Sequence, residues 1–193
     1  MVKLSTVLKI LIGLEIFLLL YKYTPPEVKN SISSSVLPGY ESNRLDELHP
    51  RLESKMKSII AQLTKRGFTP KVYSTYRSPE MQDFYYSVSK GGRVFGASPM
   101  TRSKGGESCH NKQDKSGKPA ATAVDIWGKP YGAFLSLRLD IHFNEHLRFF
   151  NALGKIVADE GLEWGGRWTS QHSIWADHGL GWDPAHIQMG RCR

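Results

Sequence analysis

The first rhythm in the chain is an apolar stretch from Leu4 to Tyr21, interrupted by the charges of Lys9 and Glu15. As a helix, these residues reach about 27 Å at 1.5 Å per residue, close to the hydrocarbon thickness of a bilayer. No small-x-small cleavage site follows promptly, so residues 1–22 read as an uncleaved signal anchor, with Lys3 cytoplasmic and the rest exported. A cleaved signal peptide and a buried amphipathic helix are the alternatives, the latter disfavoured by the IFLLLY end, which has no polar face. Residues 23–43, with prolines, serines and a Pro-Gly pair, read as a flexible tether. From Leu45 the pattern becomes helical: Leu48, Leu52, Met56, Ile59, Ile60 and Leu63 recur on one face, with Ser42 or Asn43 as cap and Gly67 as stop.

Lys71 to Tyr76 predicts a strand, and Ser78 with Pro79 opens a helix through Tyr86. Gly91 to Gly106 is rich in Gly, Ser and basic residues and reads as a loop over a cleft. A strand is predicted from Ala121 to Trp127. A helix follows over Phe143 to Glu160, capped by Asn144, with Leu147, Phe150, Leu153, Ile156 and Val157 on its apolar face and Gly161 after it. Residues 44–193 are thus one domain of ordinary size, with room for no second one and no internal repeat.

The net charge of +8, with a pI near 9.5, points to an anionic partner such as nucleic acid, a membrane surface or a carboxylate-rich cell wall. The basic residues are spread rather than clustered, which argues against nucleic acid and for the wall or membrane. Cys109 and Cys192 are too few for a disulfide scaffold and lack CxxC spacing. They admit either one bond or two free thiols, since proximity alone does not guarantee bonding geometry.

The chemistry concentrates in Ser103 to Asp125 and in Asp183-Pro184-Ala185-His186. A catalytic zinc takes three His, Asp or Glu ligands and leaves one position open, and His110, Asp125 and His186 supply that set. Asp183, three residues before His186, is placed to serve as general base without being a ligand. One histidine alone is more often structural than metal-binding, so the inference lies in the order of the motifs. His142, His146, His172 and His178 fit no part of the pattern and read as structural or surface residues, His178 being the nearest candidate for the cleft.

These residues resemble the zinc peptidases of bacterial cell walls related to D-alanyl-D-alanine carboxypeptidases, and especially the L-alanyl-D-glutamate peptidases of phage endolysins. That pattern runs Ser-x-His-x-x-Gly-x-Ala-x-Asp, then Trp-Gly-Gly-x-Trp, then an acidic residue, two residues and a His. It is met by Ser108-Cys109-His110, Ala123-Val124-Asp125, Trp164-Gly165-Gly166-Arg167-Trp168 and Asp183-Pro184-Ala185-His186. Where the family spaces its His and Asp by seven, this chain spaces them by fifteen. Excising Lys112 to Pro119, a charged and turn-rich octapeptide, restores the register, with Ala121 in place of the usual Gly.

The resemblance implies an α+β fold of the hedgehog/D-Ala-D-Ala-peptidase type, a small antiparallel sheet flanked by helices with zinc held on strands in a cleft. It implies that Arg77 holds a substrate carboxylate, with Gln82 beside it, and that the two tryptophans wall the site. A guanidinium suits that role because it grips a carboxylate through two parallel hydrogen bonds. The implied reaction is zinc-dependent cleavage of peptidoglycan stem peptides by a monomer, first at the L-alanyl-D-glutamate bond. The alternatives are D-alanyl-D-alanine carboxypeptidase activity and a non-catalytic, membrane-tethered wall-binding module.

Overall fold

The computed structural model describes residues 38–90, 101–129, 143–169 and 175–192. The apolar run from Leu4 to Tyr21, the tether up to residue 37, the first part of the Gly91 to Gly106 loop, His142 and His172 lie outside them. Among the described residues no helix is long and apolar enough to cross a membrane.

The first long helix, α1 (Pro50–Lys65), begins one turn later than the periodicity suggests because Pro50 takes its first position and the His49 side chain accepts from the Arg51 N–H. Leu45–Glu47, ahead of it, forms a short 3-10 turn. The buried face of α1 is Leu52, Met56, Ile59 and Leu63, the i, i+4, i+7 stripe that the sequence announces. Gly67, with φ of 85°, ends it where a side chain would be strained.

Strand β1 (Pro70–Ser74) follows, then α2 (Pro79–Lys90), whose start is capped by the Ser78 hydroxyl accepting from the Met81 N–H at 3.3 Å. Strand β2 (Ala123–Gly128), helix α3 (Phe143–Asp159), β3 (Glu163–Trp164) and β4 (His186–Gln188) complete the regular elements. Asn144, expected as a cap, lies inside α3.

All pairings in the four-stranded sheet are antiparallel and the order is β1-β2-β4-β3. This is the expected α+β arrangement. The sheet order places β4, last in the chain, between β2 and β3, so the C-terminal segment is inserted inside the sheet.

One apolar cluster joins α1 and α3 to the sheet, with Phe149, Phe150, Leu153, Ile156 and Val157 of α3 fully buried. Each such side chain stabilises the fold by about 1.5–3 kcal/mol through removal from water. Trp127 of β2 meets Phe150 edge to face at 5.0 Å, which fixes α3 against the sheet. His146 lies wholly inside this core, with its ring 5.5 Å from that of Trp127. The octapeptide Lys112 to Pro119 is an exposed hairpin, pinched by the Gln113–Pro119 bridge. Asp114 accepts from the Ser116 and Lys118 N–H groups at its tip. It leaves the path between His110 and Asp125 undisturbed because Thr122 N–H reaches back to the Cys109 carbonyl at 2.9 Å.

Candidate metal centre

Asp125 of β2 and His186 of β4 are direct partners in the antiparallel register, so their side chains rise from the same face of adjacent strands. His110 comes from neither strand but from a 3-10 turn, Cys109–Asn111, which corrects the expectation that strands carry all three. Ser108 caps that turn, its hydroxyl accepting from the His110 N–H at 3.2 Å. Asn111 ties it down, donating to the Arg77 carbonyl at 2.7 Å and accepting from the Ser108 N–H at 3.3 Å.

The three side chains converge. His186 Nδ1 lies 3.0 Å from Asp125 Oδ1, His110 Nε2 lies 3.5 Å from the same oxygen, and the two nitrogens are 3.4 Å apart. A tetrahedral site with ligand distances near 2.1 Å has edges of roughly 3.4 Å, so the spacing fits one small divalent cation.

The outer nitrogens decide what the inner ones can do. His110 Nδ1 lies 2.6 Å from the Thr75 carbonyl, an acceptor, so it carries the proton and leaves a lone pair on Nε2. His186 Nε2 lies 3.0 Å from Gln188 Oε1. The Gln188 amide is oriented by donation to Glu163 Oε2 at 2.9 Å and to the Gly190 carbonyl at 3.0 Å, so its oxygen faces the ring and His186 Nδ1 is also left bare. Two lone pairs and a carboxylate oxygen therefore face one another in a buried space, an arrangement that repels itself until a cation enters. His110 and His186, both buried, and half-buried Asp125 could hold that ion.

The electrostatics agree. Burial opposes a charge on His186, but the hydrogen bond and charge of Asp125, with Asp183 behind them, push its pKa above the ordinary histidine value. Burial likewise opposes ionisation of Asp125, and the two histidines outweigh it, holding the carboxyl well below its usual range. The pocket is built to favour positive charge at its centre.

A cavity of ≈ 860 Å³ opens over this cluster, bordered by Arg77, Asp183, Trp168 and Trp182 among others. Trp168 sits with its ring 5.0 Å from that of His186, and Trp182 lies 5.6 Å beyond it. Trp164, by contrast, is a core residue, its indole N–H donating to the Pro184 carbonyl at 2.8 Å. The two tryptophans of the Trp-Gly-Gly-x-Trp motif thus divide their work between cavity wall and core. The glycines between them are required by contact: a Cβ on Gly165 would collide with the Asp183 carbonyl, and one on Gly166 with the Trp164 ring.

No family model matches the sequence, and no curated protein matches it. Among solved structures the chain is similar to the LdcB LD-carboxypeptidase, whose structure is described as revealing the molecular basis of peptidoglycan recognition. Identity is 15% and the TM-score 0.46, over 76% of this chain and 60% of that one. The chain therefore matches less than two thirds of that protein's length.

Of the other sequence-derived candidates, Asp183 lines the cavity, half-buried, and its carbonyl accepts from the His186 N–H at 3.1 Å. Arg77 borders the cavity too, but it is buried and bonded to Glu41. Gln82 is fully buried. Its carbonyl accepts from Arg77 at 2.9 Å, and its amide N–H groups donate to the Thr101 hydroxyl and the Ser103 carbonyl. It stands behind the wall rather than in it. His178 is exposed and rests on Phe143 at 4.3 Å between rings, away from the cavity lining.

Cys109 and Cys192 are joined by a disulfide, with their Cα atoms 5.1 Å apart. The bond links the turn of His110 to the chain just beyond β4, and both cysteines line the cavity. Thr75, Gln188 and Glu41 were not singled out from the sequence. Gln188 alone had a signal, two residues after His186 on the same face of a strand.

Proposed function

We propose that this chain is a zinc-dependent peptidase of bacterial peptidoglycan, cleaving stem peptides at the L-alanyl-D-glutamate bond. The observation that carries the proposal is the cradle of His110, Asp125 and His186, with both outer histidine nitrogens anchored on carbonyl oxygens. Two imidazoles and one carboxylate are a donor set suited to a zinc that keeps an open position. Zinc held there would polarise a scissile carbonyl and make a neighbouring water acidic.

The chain's own residues would do the rest. Asp183 takes the proton of the attacking water and delivers it to the leaving amine. Trp168 and Trp182 wall the cleft on one side and give a stem peptide an apolar surface to lie on. The resemblance of the ordered motifs to cell-wall zinc peptidases supplies the substrate class, and the basic balance of the chain suits a carboxylate-rich wall. The apolar Leu4 to Tyr21 run completes the proposal as a membrane anchor, with the peptidase domain on the exported side.

The test is digestion of purified peptidoglycan by the full chain, with mass analysis of the released muropeptides. New alanine carboxyl termini paired with glutamate amino termini support the endopeptidase. Release of D-alanine alone would make it a D-alanyl-D-alanine carboxypeptidase, and co-sedimentation without cleavage would make it a wall-binding module. Activity that survives a strong chelator, with no stoichiometric metal by elemental analysis, would end the zinc proposal.

A further inference from the structure

Glu41 takes no part in the chemistry above, and only 5% of its surface is exposed. Its Oε1 accepts from Arg77 Nε at 3.1 Å and from Nη2 at 2.9 Å, and from the Ser74 hydroxyl at 2.8 Å. Its Oε2 accepts from the Tyr85 hydroxyl at 2.8 Å. The guanidinium is correspondingly occupied: beyond the two bonds to Glu41, Nη2 donates to Ser74 Oγ at 3.2 Å and Nη1 to Gln82 Oε1 at 2.9 Å. Of its five N–H groups only one is left, so Arg77 has no pair of parallel donors to offer a substrate carboxylate.

The charge of Arg77 points instead toward the metal cradle. Nη2 lies 3.8 Å from Asp125 Oδ2, while Oδ1 of the same carboxylate faces both histidines. An arginine so placed orients the carboxylate, but uncompensated it would also compete with a divalent cation for it. The buried carboxylate of Glu41 offsets that positive charge.

The backbone around Glu41 acts on the second ligand. Glu41 bridges to Arg77, and Ser42 accepts from the Thr75 N–H at 2.6 Å through its carbonyl. Thr75 is the residue whose own carbonyl fixes His110 Nδ1.

We infer that Glu41 is a positioning residue of the metal centre: it withdraws Arg77 from substrate recognition and holds it, neutralised, against the outer oxygen of Asp125. The segment just ahead of α1 thereby sets the affinity of the site for a divalent cation. The inference rests on the metal-site reading of the cradle.

The test is competition titration of zinc against a chromophoric chelator, using the full chain, with circular dichroism to establish folding. Glu41→Gln should weaken zinc binding by about 10- to 100-fold, the usual effect of losing an outer-shell partner. The double variant Glu41→Gln/Arg77→Met should recover much of that loss, because the uncompensated cation is gone; a merely structural defect would instead deepen. If Glu41→Gln does not fold, Glu41→Asp, which keeps the charge one methylene further away, should show a smaller loss in the same direction.

Wild-type zinc affinity in folded Glu41→Gln with a raised KM would return Arg77 to the substrate and overturn the inference alone. Additive losses in the double variant would overturn it equally. A wild-type chain that binds no zinc would overturn the reading of the cradle and this inference with it.

Discussion

Replacing Gln188 by Met keeps length and flexibility in β4 but removes the oxygen that accepts from His186 Nε2 at 3.0 Å. Both residues are buried, at 9% and 8% exposure, so water does not readily replace the lost acceptor. The ring then has two choices. It keeps its proton on Nε2 as an unsatisfied buried donor, at a cost of about 1–3 kcal/mol, or it moves the proton to Nδ1 and buries the lone pair that faces the cradle. The second choice relieves the free chain, so zinc binding must then restore the ligating tautomer against that same cost, and about 1–3 kcal/mol corresponds to about 5- to 150-fold in the dissociation constant. That span agrees with the 10- to 100-fold typical of outer-shell partners, about one to two decades. The assay is zinc competition titration of the folded variant beside wild type. An unchanged affinity would refute the tautomer argument and, with it, the assignment of His186 Nδ1 as the inner ligand atom.

Asp183→Asn keeps shape but cannot accept a proton, so zinc should stay bound while turnover on peptidoglycan falls by about 10²- to 10⁴-fold; loss of zinc in this variant would make Asp183 a ligand instead. His110→Ala and His186→Ala should each abolish both stoichiometric zinc and activity, as elemental analysis and muropeptide release would show. Gly154→Ala gains about 1 kcal/mol of helix propensity, but the new methyl would collide with the Trp164 ring, and overpacking of about 1–3 kcal/mol wins. A lowered urea midpoint is expected, and a raised one would show that the ring can yield. Cys109→Ser opens a loop of 83 residues, and chain entropy alone sets an expected loss of stability of up to about 4.5 kcal/mol, read as a lower midpoint under non-reducing conditions and as no difference from wild type in reductant.

Helices α1 and α3 were legible because each announces itself twice, by a stripe and by a stop, whereas α2, announced only by its start, runs to Lys90 rather than Tyr86. Leu52, Met56, Ile59 and Leu63 repeat at helical spacing and are buried together, and Gly67 ends the helix in the left-handed region. The caps were less so. The sequence offers Ser42 or Asn43 as the first cap, yet Ser42 pairs its backbone with Tyr76 and Thr75, and the helix starts after His49. That is tertiary pairing overriding a local capping preference. Strand β4 is only three residues long and carries no period to read. Its place inside the sheet follows from what it pairs with, which no local pattern states.

The group that could hold a metal was legible and its supports were not, for one physical reason. A ligand must be a particular residue type at a particular order in the chain, so His110, Asp125 and His186 leave a signature. A support need only present an acceptor at the right point in space, and any backbone carbonyl will do. Thr75 acts through its carbonyl, so its side chain says nothing. Glu41 acts on Asp125 through Arg77, across 36 residues of chain, from what reads in sequence as the end of a tether. The same reasoning bears on Arg77. Its sequence neighbourhood marks a cation beside a cleft, which is where it lies, but the direction its donors face is fixed by a carboxylate far upstream. Where a buried charge points is decided by its partner, and the partner of Arg77 is folded in from outside the motif.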